Sequence, residues 1–293
     1  MRVLGAAALA GAGLAAYSVW EPYRFRLAEH HLEMPPESPR LSILHVSDTH
    51  MTGRTRALEA WMESLPERLP AVPDLVVATG DFIDNDEGIG RAVSALTKLE
   101  ARLGRFYVLG SHDYYISQFQ GYSKYLGFSG SPIRPKLADV AALEDGLRDK
   151  GWVALTNTTH LLDGPWGRIR LAGVDDPYIG RHKLSHIERG PDEVLAIGLV
   201  HSPDVVSEWF QAGFDLVVAG HTHGGQVRVP YFGALVTNCS LPTALAMGPH
   251  RVGSGWLHVS PGLGNGRHSG IRFACRPEAT LLHLNPTDGS TQN

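Results

Sequence analysis

Leu41-Ser42-Ile43-Leu44-His45-Val46-Ser47-Asp48-Thr49-His50 is the stretch that decides the fold. Its first seven residues form an apolar run of strand length and read as a buried strand. The run stops at two ionisable side chains one residue apart. The pattern recurs downstream. Leu75-Val76-Val77-Ala78-Thr79 is followed by Gly80-Asp81, and Phe106-Tyr107-Val108-Leu109 by Gly110-Ser111-His112-Asp113. Val194 to Val200 is followed by His201, and Leu216-Val217-Val218-Ala219 by Gly220-His221-Thr222-His223. Helix-like stretches at 55–69, 88–103, 137–150 and 204–211 alternate with these runs, and further strands are expected at 152–161 and 168–174. Alternation of this kind predicts an α/β fold. Ligands of open α/β sheets sit beyond the carboxyl ends of the strands, so five remote segments are expected to converge on one edge.

Bulk properties set the limits. The chain has 293 residues, 43% hydrophobic and 19% charged, which suits a globular α/β domain with a large core. A net charge of −4 provides no basic field, so long nucleic acid is not expected as a partner. Fifteen histidines is a high count, and imidazole is the commonest protein ligand for transition metals. Cys239 and Cys275 allow one disulfide but read more simply as two small buried hydrophobes. Residues 21–40 carry mixed charge and then Pro35, Pro36 and Pro39, and read as a connector. The domain is expected over 41–285, with a polar tail at 286–293.

Residues 1–20 are a separate unit. Val3 to Trp20 carry no charge and are rich in Ala and Gly. Eighteen helical residues span about 27 Å, just short of a hydrocarbon core of about 30 Å. Trp20 and Tyr23 stand where interfacial aromatics belong, followed by Arg24 and Arg26. An uncleaved membrane anchor is the first reading, placing the protein at the cell membrane. A signal peptide cut near Ala8-Leu9-Ala10, giving a secreted product, is the second. A buried core helix is the third.

Each strand-end fragment alone is commonplace, since a lone Asp caps turns and a lone His is often a core residue. The ordered set is another matter. Asp48-x-His50, Gly80-Asp81, Gly110-Ser111-His112-Asp113, His201 and Gly220-His221-Thr222-His223 together resemble the calcineurin-like metallophosphoesterase superfamily. The longer run to Gln226, the apolar N-terminus with Glu21-Pro22-Tyr23, and Arg272-Phe273-Ala274-Cys275 are similar to its membrane-anchored bacterial members. Some relatives of that branch are UDP-2,3-diacylglucosamine hydrolases or general phosphodiesterases. The resemblance implies a four-layer αββα sandwich, two mixed sheets flanked by helices, behind an N-terminal membrane-anchor helix. It also implies two divalent ions, with Asp48, His50 and His223 on the first, Asp81 bridging, and His201 and His221 on the second with position 111. Imidazole mixed with carboxylate suits Mn, Fe or Zn. Two such ions clamp attacking and leaving oxygens and generate hydroxide near neutral pH. His112 would then protonate the leaving group or steady the phosphoryl charge, with Asp113 orienting it. The implied substrate is a phosphate ester or pyrophosphate, small or lipid-linked.

Ser111 departs from the family pattern, which has Asn there. A Ser hydroxyl is shorter and a weaker donor, so it is either a ligand of a weaker second site or only a turn residue. The aromatic run Tyr114, Tyr115, Phe119, Tyr122, Tyr125 and Phe128 is either a substrate-facing cap, with Tyr114 and Tyr115 touching substrate, or a loop packed on its own sheet. Gly224-Gly225 is expected to turn the backbone close to the site, and Gln226 to hold a supporting contact. Asp175 and Asp176 read as turn residues. Two other functions share these residues: a small-diester phosphodiesterase or nuclease, and a membrane-tethered binding module without catalysis.

Overall fold

The first sheet begins inside the region expected as a connector. Residues 26–34 form strand β1 (Arg26–Met34), leaving 35–40 as the link. Exposed Glu29, His31 and Glu33 alternate with the inward residues, of which Leu32 and Met34 are fully buried. This is the two-residue period of a half-buried strand. The computed structural model describes residues 2–118, 135–266 and 269–288. Phe119, Tyr122, Tyr125 and Phe128 lie outside the described residues, as does 289–293 of the expected tail.

After β1 come β2 (Leu41–Val46), β3 (Leu75–Thr79) and β4 (Gly104–Val108). A small ribbon follows, β5 (Tyr115–Ile116) with β6 (Lys136–Leu137). Then come β7 (Val153–Ala154), β8 (Thr158–Gly164), β9 (Gly167–Gly173), β10 (Glu193–Val200) and β11 (Leu216–Ala219). A second ribbon, β12 (Arg228–Val229) with β13 (Gly233–Ala234), precedes β14 (Gly248–Val252), β15 (Gly255–Val259) and β16 (Glu278–Pro286).

The long strands make two six-stranded sheets, in the orders β1-β16-β2-β3-β4-β7 and β14-β15-β11-β10-β9-β8. Both are mixed. β2, β3, β4 and β7 run parallel, and β16 is antiparallel to β2. β9, β10, β11 and β15 run parallel, with antiparallel β8 and β14 at the two edges. β3 is buried at all five positions, as a strand covered on both faces should be.

Between the sheets, Ile43, Val77 and Phe106 of one meet Leu171, Ile197 and Val218 of the other. The outer face of the first sheet is covered by helices Arg56–Glu63, Ile89–Thr97 and Val140–Asp149 through Met62, Leu96 and Leu147. On the far side, Trp209 of helix Val206–Gln211 packs over the second sheet. Gly198 of β10 is bare there because a Cβ would lie 2.7 Å from the Trp209 ring. The layer order is therefore helix, sheet, sheet, helix.

The N-terminal segment requires a correction. Arg2–Trp20 is helical, but among the described residues no helix is long and apolar enough to cross a membrane. Nineteen residues at 1.5 Å each reach about 28 Å, short of a hydrocarbon core of about 30 Å. The end of the helix is instead tied to the domain. Tyr17 packs edge-on against Phe273 at 5.5 Å and donates a 2.8 Å hydrogen bond to Glu21, and the Ser18 carbonyl accepts from the Arg272 amide.

Candidate metal centre

β2, β3 and β4 of one sheet and β10 and β11 of the other end at a common edge, and the loops beyond them interlock. The Asp48 amide donates to Gly80 O, the His50 amide to Asp81 O, and the Gly220 amide to His201 O. Glycine permits this closeness. A Cβ at Gly110 would stand 2.3 Å from Asp81 Oδ1, and one at Gly220 would stand 2.0 Å from Ser47 Oγ. The side chains so placed sit on unusual backbone. Asp48, His50, Asp81, His221 and His223 all have φ between 42° and 69°. Left-handed backbone at a non-glycine residue costs about 1–3 kcal/mol and persists only where surrounding structure enforces it.

Asp81 occupies the middle. Its Oδ1 accepts from the His112 amide at 2.8 Å. Its Oδ2 lies 3.6 Å from His50 Nε2 and 3.2 Å from His201 Nε2. His223 Nε2 stands 3.1 Å from His50 Nε2 and 3.6 Å from Asp48 Oδ1. His221 Nδ1 stands 3.3 Å from His201 Nε2. The structure thus brings Asp48, His50, Asp81, His201, His221 and His223 together, while Ser111 lines a cavity with His50, Asp81, His221 and His223.

Proton counting shows what this arrangement suits. A neutral imidazole carries one N–H. His201 spends its own on the Thr79 carbonyl, 2.6 Å from Nδ1, and His221 spends its own on the Asn238 carbonyl, 3.1 Å from Nε2. With both rings neutral, the nitrogens that face each other at 3.3 Å are bare lone pairs suited to a cation between them; without one, the raised pKa of His201 places a proton on Nε2, 3.2 Å from Asp81 Oδ2. The local field agrees. Burial works to lower the pKa of His201, yet the charges of Asp81, Asp176 and Asp48 hold it well above the ordinary value. The donor set therefore fits divalent cations of the imidazole- and carboxylate-binding kind.

His112 and Asp113 separate into different roles. Asp113 does not reach His112. Its carboxylate accepts from the amides of Gly110, Asp81, Phe82 and Ile83, at 2.7 to 3.3 Å, and so anchors the loop that carries Asp81. The partner of His112 is Asp84, whose Oδ1 is 2.9 Å from Nδ1, with the Ser117 hydroxyl also at 2.7 Å. Burial favours neutral His112, but the charge of Asp81 and the Asp84 hydrogen bond raise its pKa to about 9. It holds its proton at neutral pH.

The two tyrosines also part. Tyr115 lines a cavity of about 530 Å³ together with His50, His112, Tyr178 and His221. Tyr114 turns away. Its hydroxyl donates to Asp175 at 2.9 Å, and Arg181 covers its ring at 4.2 Å. Gln226 lines the cavity and donates to Ser269 O at 2.8 Å. Gly224 and Gly225 take positive φ, as the sharp turn requires. Both cysteines are free, and the Cys275 thiol donates to His223 O at 3.2 Å.

Residues 41–225, well over half the chain, match the family model for calcineurin-like phosphoesterase. The chain belongs to that family. It is a metallophosphoesterase, a hydrolase of a family that uses divalent metals. It is similar to the uncharacterized metallophosphoesterase YkuE of Bacillus subtilis (strain 168), 28% identical over 97% of this chain and 94% of that one. Phosphodiesterase YaeI of Escherichia coli (strain K12) is 25% identical over 90% of each chain. UDP-2,3-diacylglucosamine pyrophosphatase LpxG of Chlamydia trachomatis is 26% identical over 89% of this chain and 90% of that one.

Several residues of this metallophosphoesterase escaped the sequence reading. Asp84 follows Asp81 by three residues and looks like a turn. Asp176, read as a turn residue, is fully buried, and one oxygen has no partner among the described residues. Its charge acts on His201. The signal for it was present, since β9 neighbours β10 in the parallel run and Asp176 lies beyond its carboxyl end. Arg272 is fully buried and binds the carbonyls of Pro261, Gly262 and Gly264 beneath His223. Nothing local in its sequence marks that contact.

Proposed function

We propose that the chain hydrolyses a phosphodiester or pyrophosphate bond at a dinuclear centre, with the substrate presented at a lipid surface. The carrying observation is the set of imidazole nitrogens and carboxylate oxygens facing one another around Asp81 Oδ2 with their protons turned outward. Asp48, His50 and His223 would hold one ion, and His201 and His221 the other, with Asp81 between. Ser111, at the cavity wall, would complete the second. Two bound divalent ions supply Lewis acidity to the phosphoryl oxygens and make water acidic enough to attack near neutral pH. Manganese, iron and zinc all suit the donors.

The chain's own residues supply the remainder. His112 is held by Asp84 through Nδ1, which leaves Nε2 to donate its proton to the leaving oxygen as the bond to phosphorus breaks. Tyr115 and Tyr178 wall the cavity on the substrate side. A second cavity of about 470 Å³ shares His50 and Gly266 with the first and is lined by Pro22, Tyr23 and Phe25 of the N-terminal segment. It offers room for a bulky group attached to the phosphate. Exposed Tyr231, Phe232, Leu235 and Val236 near the β12–β13 ribbon, with exposed Leu14 and Trp20, favour peripheral contact with lipid in place of a spanning anchor. The likeness to a UDP-2,3-diacylglucosamine pyrophosphatase supports a lipid-linked pyrophosphate, and the likeness to YaeI supports a small diester.

The test is a hydrolysis panel with Mn²⁺: a small diester, a nucleoside diphosphate ester and a lipid-linked pyrophosphate, with Asp81→Ala and His221→Ala as controls. Turnover of a diester or pyrophosphate that both substitutions abolish is expected. No turnover of any member would overturn the reading.

A further inference from the structure

A hydrogen-bonded line leads from the metal centre into the space between the sheets. Ser47 Oγ lies 2.5 Å from Asp48 Oδ2, and Thr79 Oγ1 lies 2.7 Å from Ser47 Oγ. His45 Nε2 lies 2.9 Å from Thr79 Oγ1, and His45 Nδ1 lies 2.9 Å from His258 Nδ1. All five residues are fully buried. The line starts on β2 and β3 of the first sheet and ends on β15 of the second.

Its direction is set by proton counting. An ionised Asp48 only accepts, so Ser47 donates to it, and this step rests on Asp48 serving the dinuclear centre. Ser47 has one hydroxyl hydrogen, so Thr79 must donate to Ser47. Thr79 then has none left and accepts from His45 Nε2–H. With its one hydrogen on Nε2, a neutral His45 keeps Nδ1 bare, and that nitrogen accepts from His258 Nδ1–H. A neutral His258 with its hydrogen so placed has a bare lone pair on Nε2.

That lone pair has no hydrogen-bond partner among the described residues, although the side chain is fully buried. His258 belongs to a group with Glu278, also buried, and His30, partly buried, on the first sheet. One ligand atom from each of the three lies within 4.8 Å of the others. Across a tetrahedral ion with zinc-length bonds, donors stand about 3.4 Å apart, so binding would draw these three inward. Glu278 is braced for such a role. Arg26 donates to its Oε2 from Nε at 2.7 Å and from Nη2 at 2.5 Å, and the Thr280 hydroxyl donates to its Oε1 at 2.9 Å, so Oε1 is the oxygen that keeps a lone pair.

We propose that His30, His258 and Glu278 hold a further divalent cation of the zinc type, between the sheets and apart from the centre around Asp81. Two imidazoles and one carboxylate with an open fourth position are a zinc donor set. The ion would join the edge strand β1 and its neighbour β16 to β15 of the other sheet, and His258, His45, Thr79 and Ser47 would connect it to Asp48.

The test uses Zn²⁺ itself on the full chain, stripped with chelator, reloaded and desalted. Metal analysis is expected to give one ion per chain fewer in His30→Ala than in the wild type. His30 is the partly exposed member, so this substitution leaves the core in place. Anomalous diffraction at the zinc edge of the wild type is expected to show a peak bounded by His30, His258 and Glu278. Equal zinc content in the two proteins, or no peak at that place, overturns the proposal. Loss of the peaks beside Asp81 with this one retained would instead count against the dinuclear reading.

Discussion

Side chain by side chain, the centre is organised by where protons are kept out. His201 and His221 each use their one N–H on a backbone carbonyl, which aims a lone pair inward. The neighbouring pair His112 and Asp113 gives two separable expectations. His112→Ala should lower kcat by about 10²–10⁴ while leaving metal content and melting temperature unchanged, because it removes a proton donor and no ligand. Asp113→Ala leaves four buried amides without their acceptor and should destabilise the fold by about 3 kcal/mol, measured by urea unfolding. If the two variants behaved alike in both assays, the division of roles would be wrong. The candidate ligands of the proposed centre were legible as a converging set because Asp and His follow strand ends that meet at one end of the fold. Asp176 carried the same strand-end signal, but Asp84 and Arg272 were not legible. Their contribution depends on what faces them across the fold, and single-sequence spacing carries no trace of that.

Among the elements, strands were easier to read than helices. Leu75–Thr79 and Leu216–Ala219 fall where the apolar runs predicted, since continuous burial leaves no polar residue to blur the pattern. β1 was missed because Glu29, His31 and Glu33 on its outer face resemble a charged linker. Its inner Leu32 and Met34 belong to the core between the sheets. Deleting residues 1–36 should therefore expose β16 as a raw edge and yield aggregated protein. Soluble protein of wild-type stability would contradict this. Tight backbone packing gives a second expectation. Gly110→Ala would force a methyl against Asp81 Oδ1 and should cut metal affinity at least about tenfold, read by metal titration. The N-terminal helix was legible as a helix, but its docking through Tyr17 and Phe273 was not, because Phe273 arrives from far along the chain.

For the whole molecule, two sheets pack face to face, and the centre at their common end forms only when both are in place. Metal bound to the folded chain should stabilise it. At a free concentration about a thousandfold above Kd, one ion adds about 4 kcal/mol. Chelation is expected to lower the melting temperature and Mn²⁺ to restore it, with Asp81→Ala insensitive to both. An unchanged melting curve for the wild type would mean that the ligand set does not close around cations. The overall architecture was legible because the alternation of apolar runs with amphipathic stretches admits few arrangements. The exposed apolar surface near the β12–β13 ribbon was less so, since Tyr231 and Phe232 are ordinary core-type residues until the structure shows them exposed. The central claim, a dinuclear centre bridged by Asp81, is tested most directly by anomalous diffraction at the manganese edge from Mn²⁺-loaded crystals. Two peaks about 3.5–4 Å apart, one on either side of Asp81 Oδ2, are predicted; a single peak there, or none, would contradict it.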